Sequence, residues 1–182
     1  MKKQILTFFI ITFFLSSGLK AQSYSDAFSF NLGMVQNGFG GVINYNYFVD
    51  RHDFIEAGVL MTASNFKYTP DIKIPYNDFT LNLGYSINVF YNYQNTFNIN
   101  LSGGGVFGYE TLNKGEKTLS NGALIISEPS FIYGAYLGVE LDYTLTDQLS
   151  LTLKANEYYH ANSKLGEFMP FAGLGLRYYV SY

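Results

Sequence analysis

The chain has no cysteine, no tryptophan, two histidines and four prolines, and only 14% of its 182 residues are charged. Without cysteine there can be no disulfide, thiolate metal site, cysteine nucleophile or lipidated N-terminal Cys. The formal net charge of −3 offers no basic footprint, so direct nucleic-acid binding is not expected. Charge is scarce against a usual share of about 25%. Long apolar runs are missing too, since none reaches the roughly 18 residues that a membrane-crossing helix requires. Any membrane crossing must therefore be made by strands.

Aromatic and small residues take the place of the missing types. Seventeen Tyr and 17 Phe give an aromatic share of 19%, and 18 residues are Gly. That mixture suits an apolar exterior around a tightly packed interior. At the N-terminus, Lys2 and Lys3 precede a short apolar run over residues 5–15, and Ser16, Ser17 and Gly18 lead to Ala21. This is the pattern of a secretory signal peptide, with cleavage expected after Ala21. Residues 1–21 are the expected signal peptide and 22–182 the single mature domain. Losing Lys2, Lys3 and Lys20 but no acid takes the formal charge from −3 to −6.

Residues 77–91 carry the clearest signal. Phe79, Leu81, Leu83, Tyr85, Ile87, Val89 and Tyr91 alternate there with Thr80, Asn82, Gly84, Ser86 and Asn88. Strict period-2 alternation predicts a β-strand with one apolar and one polar face. The same pattern predicts strands over 28–35, 39–49, 53–64, 77–91, 96–109, 131–145, 149–158 and 168–182. Turns over 50–52, 92–95 and 146–148 are short, whereas 65–76, 110–130 and 159–167 read as longer loops. At the long-loop end only Gln36-Asn37-Gly38 makes a tight turn. An even strand count with short turns at one end and long loops at the other is the outer-membrane barrel pattern.

A soluble lipocalin-type calyx has the same period with its faces reversed. Three features favour the membrane. The polar face carries mostly Gly, Asn, Ser and Thr, which fit a narrow barrel interior, rather than the Lys and Glu of a wetted surface. Aromatics gather at the strand ends: Tyr45, Tyr47, Tyr91, Phe97, Tyr143 and Tyr178 near the short turns, and Phe66, Phe79, Tyr109, Phe131 and Phe168 near the long loops. These read as two interfacial girdles. Tyr178, Val180 and Tyr182 resemble the C-terminal signal that such barrels present to the barrel assembly machinery. The expected fold is all-β, an eight-stranded antiparallel up-and-down transmembrane barrel set in outer-membrane lipid.

Five strand-borne charges, Glu56, Glu140, Asp142, Lys154 and Arg177, fall on the polar face, with Glu157 near a strand end. Buried charges must pair to be tolerated, so a lumenal salt-bridge network that plugs the pore is expected. An enzyme is not expected. His52 lies in a short turn and His160 in a long loop, at opposite ends of a band about 25 Å tall. Barrel lipid A deacylases pair a His with a Ser two residues on, but Asn162 stands at that position here. No metal-ligand spacing occurs, and Gly103 to Gly105 lie in a strand, where they favour close packing over phosphate binding. No catalytic residue, cofactor or metal is expected.

The last third resembles the TraO family of conjugative transposons. The matching residues are Phe131-Ile132-Tyr133-Gly134-Ala135-Tyr136-Leu137-Gly138-Val139-Glu140, then Leu145-Thr146-Asp147, then Ala155-Asn156-Glu157. The tail Phe171-Ala172-Gly173-Leu174-Gly175-Leu176-Arg177-Tyr178 completes the match. One departure is Asn156, where the family tends to have Arg. The resemblance implies an outer-membrane component of a conjugal DNA-transfer apparatus, with other proteins of that complex as partners. Because eight strands enclose too little space for DNA, a structural or docking role is expected. The competing expectation is an OmpX-like surface barrel that binds a partner through its long loops.

Overall fold

The computed structural model describes residues 26–69, 72–94, 96–113 and 129–180. The expected signal peptide, Tyr182 and most of the 110–130 loop lie outside the described residues. Eight strands run in chain order: β1 (Asp26–Val35), β2 (Gly38–Phe48), β3 (Phe54–Thr69), β4 (Ile72–Tyr91), β5 (Phe97–Leu112), β6 (Ser130–Thr146), β7 (Leu149–His160) and β8 (Phe168–Tyr179). Each pairs antiparallel with its sequence neighbours, and β8 closes on β1 to complete a barrel. The β1–β8 seam keeps a continuous register from Ala27↔Tyr179 to Val35↔Phe171. Closure leaves the wall without an unpaired edge.

The two faces have the polarity expected for lipid outside. Phe30, Leu32, Met34, Leu81, Leu83, Leu137 and Leu174 face outward and are exposed, while Ser29, Asn31, Asn44, Asn46, Asn82, Asn100 and Thr152 face inward and are buried. An exterior of exposed Leu and Phe around an interior of Asn and Ser needs hydrocarbon as its solvent. The girdles also form. Tyr45, Tyr47, Tyr91, Tyr143 and Tyr178 face outward toward the short turns, and Phe79, Tyr109, Phe131 and Phe168 toward the long loops. Phe131 anchors the second group, stacked on Phe107 and edge-on to Tyr109 at 5.2 Å.

Several expectations are corrected. Residues 65–76 are not a loop: β3 and β4 extend through them as a hairpin, with Phe66↔Ile74 and Asn65↔Pro75 in register. Pro75 is tolerated because β4 pairs with β5 only as far as Tyr76↔Leu112, so beyond that point it is an edge stretch. Phe66 takes the inward parity of Ser64, so it does not join the outer girdle. The alternation of β4 breaks at a bulge between Asn88 and Phe90, which turns Val89 and Phe90 both outward. β5 continues to Leu112 and β7 to His160, so Glu110 and His160 belong to strands rather than loops. The Asn37 signal takes the conformation its type favours, at φ 58° in the β1–β2 turn.

Candidate functional site

Among the described residues, the lumen is packed in three layers. The layer nearest the short turns is ionic. Lys154 on β7 donates to Glu56 Oε2 on β3 at 2.6 Å, and its ammonium lies 3.6 Å from Glu140 Oε2. Arg177 on β8 bridges two acids of β6, with Nη2 donating to Glu140 Oε1 at 2.5 Å and Nη1 to Asp142 Oδ2 at 2.7 Å. Its guanidinium also stacks over the Phe54 ring, 4.7 Å from the centroid. Asn46, with its amide oxygen rather than its nitrogen assigned to face Arg177, accepts from Arg177 Nε at 3.0 Å. All five charges anticipated for the lumen are brought together here, each no more than 2% exposed.

The geometry of one contact matters most. In a ring of eight strands β3 and β7 stand diametrically opposite. The Lys154–Glu56 pair therefore crosses the full lumen and closes it. Tyr136 on β6 reinforces the closure, its hydroxyl donating to Glu56 Oε1 at 2.5 Å. Gly84 on β4 makes room for that ring, because any Cβ there would meet the Tyr136 hydroxyl.

The middle layer is apolar, which the alternation had not indicated. Val42, Leu60, Val106, Phe171, Met169 and the stacked rings of Tyr136 and Tyr158 form one buried cluster inside the barrel. Above it lies a second polar group. Asp78 and Glu110 are directly paired across β4–β5, buried at 3% and 0% exposure. Ser163 Oγ donates to Glu110 Oε2 at 2.6 Å, and the Lys164 backbone N–H donates to its other oxygen at 3.3 Å. Sequence reasoning missed this pair because Glu110 was placed in a loop. Its usable signal was the parity of Asp78 with Thr80 and Asn82.

His160 closes the same end, fully buried, with neither ring nitrogen hydrogen-bonded among the described residues. His52 lies at the opposite end, stacked on Tyr91 at 4.5 Å. Among the described residues no group of three His, Cys, Asp or Glu side chains could hold a metal ion. At the short-turn mouth, a cavity of about 380 Å³ lies below the ionic layer, lined by Arg51, His52, Asn88, Asn98 and Tyr179. In that turn Asp50 accepts from the backbone N–H groups of Asp53 and His52, both at 2.8 Å, and these bonds hold its carboxyl below its ordinary pKa. Tyr178 and Val180 of the expected assembly signal face outward at this rim.

A family model described as conjugative transposon protein TraO matches residues 16–180. No curated protein matches the sequence. Among solved structures the chain is similar to Neisserial surface protein A, at 14% identity and a TM-score of 0.53, over 85% of this chain and 95% of that one. It is also similar to Ail, the attachment invasion locus protein of Yersinia pestis, at 13% identity and a TM-score of 0.53, over 85% and 95% of the two chains. The N-terminal barrel domain of Pseudomonas aeruginosa OprF gives 15% identity, a TM-score of 0.53, and coverage of 86% and 98%. These likenesses establish the fold.

Proposed function

The chain belongs to the conjugative transposon protein TraO family, and from that premise we propose that it serves conjugal DNA transfer as a docking barrel in the outer membrane. It acts as a structural part of the transfer apparatus, neither conducting DNA nor catalysing a reaction. The observation that carries this reading is the Lys154–Glu56 contact across the full width of the lumen. Neither DNA nor a solvated ion passes a lumen bridged at 2.6 Å and packed above with Phe171, Met169 and Leu60. What the molecule offers a partner is its surface: the outer wall, the extended β3–β4 hairpin and the mouths.

Transfer frequency from a donor lacking this gene tests the proposal. A drop of several orders of magnitude, restored by the wild-type copy, supports it. Unchanged transfer from the deleted donor would sink it.

A further inference from the structure

One carboxylate stands on the wrong side of the wall. Glu157 occupies an outward position on β7, in direct register with Leu137 on β6 and Pro170 on β8. It does not lie at the rim. The next outward residue above it, Tyr159, packs on Phe168 at 5.1 Å as part of the long-loop girdle. Below it β7 continues outward with Ala155, Leu153 and Leu151. Leu137, directly across, is 73% exposed. Glu157 therefore faces hydrocarbon, and among the described residues its carboxylate has no hydrogen-bond or ion-pair partner. Between the two girdles no other described carboxylate faces outward. A charged group at this depth is costly, and such groups mark places where something other than lipid meets the wall.

The surface around it is shaped to receive a segment. Ala155 and Ala172 pair across β7–β8 and form a low floor. Leu137 and Val139 wall it on one side and Met34 on the other, bounding an open depression of about 760 Å³ that includes Glu157 and Pro170. An occupant that pairs with this carboxylate as an ion must bring a positive charge to the depth of Glu157. The described strand walls of a second copy do not supply one. Wherever strand side chains are described, Lys154 and Arg177 point inward and no cation faces lipid.

The geometry points to this depression as the docking site for the membrane-spanning segment of a different protein, one that presents a Lys or Arg to Glu157. The inference rests on the docking role proposed above and assigns it to the β6–β7–β8 wall. The small floor lets the partner approach closely, and the buried ion pair fixes its register.

Photocrosslinking in living donor cells tests it, with a photoreactive amino acid at Leu137 and a control at Leu83. The Leu137 probe is expected to trap a protein through a membrane-spanning peptide that contains Lys or Arg. Glu157→Leu should cut that adduct by about tenfold or more, equivalent to about 1.4 kcal/mol, while the barrel keeps its heat-dependent gel mobility. Glu157→Gln, which retains shape, should also reduce it. Adducts to lipid or to a second copy only, or an adduct indifferent to both substitutions, would overturn the assignment. Loss of transfer on gene deletion alongside normal transfer with Glu157→Leu would reject this site and leave the docking role intact.

Discussion

Replacing Lys154 by Met probes the closure of the lumen directly. The ionic layer holds three carboxylates, Glu56, Glu140 and Asp142, against two cations, Lys154 and Arg177. Lys154→Met leaves three acids facing one guanidinium, and Glu56 keeps only the Tyr136 hydroxyl. Breaking a buried pair from one side costs about 3–5 kcal/mol. Glu56→Gln is milder, because its amide oxygen still accepts from Tyr136 while Lys154 retains Glu140 at 3.6 Å. Its cost is about 1–3 kcal/mol. The double variant removes one charge of each sign, restores the original balance, and should recover part of the loss. The coupling between the two positions is then about 1–3 kcal/mol. Urea unfolding of the barrel in phospholipid vesicles, followed by circular dichroism and heat-dependent gel mobility, measures all four proteins. Single-variant costs that add to within about 0.5 kcal/mol would refute a direct pair.

Three further outcomes are expected. Leu83→Arg places a guanidinium on the lipid face and should cost about 2–4 kcal/mol of folding in vesicles, whereas Leu137→Arg should cost less because Glu157 lies directly across from it; equal costs would contradict the outward placement of Glu157. Gly84→Val should displace the Tyr136 ring and its bond to Glu56, destabilising the barrel by about 1–3 kcal/mol in the same unfolding assay. The Asp50 carboxyl is held low in the folded turn, so its contribution is present above its unfolded pKa of about 3.9 and is lost as pH falls through the lower folded value. Protection of the His52 and Asp53 amides, taken relative to intrinsic exchange at each pH, should accordingly fall in acid, and Asp50→Asn should abolish that fall.

The wall of this molecule was legible because lipid imposes one rule along every strand. Outward residues must be apolar, so Leu81, Leu83 and Tyr85 declare their face by alternation alone. The five lumenal charges were legible for the complementary reason, since each shares parity with Asn, Ser or Thr. The apolar middle layer was hidden because Val42, Leu60 and Phe171 sit where the alternation leads one to expect small polar residues. Strand ends were misplaced where aromatics or proline interrupted the pattern. Tyr158 and Tyr159 point to opposite faces, and only the register shows that His160 continues β7 inside the barrel. The outward direction of Glu157 was not legible for the same reason: it depends on β7 running on to His160.

The most direct test of a sealed docking barrel is conductance across a planar lipid bilayer containing the purified, folded protein. No unitary steps are expected for the wild type, because Lys154 and Glu56 meet across the lumen and the apolar layer fills the space beyond them. Steady single-channel openings from a correctly folded wild-type barrel would contradict this closure.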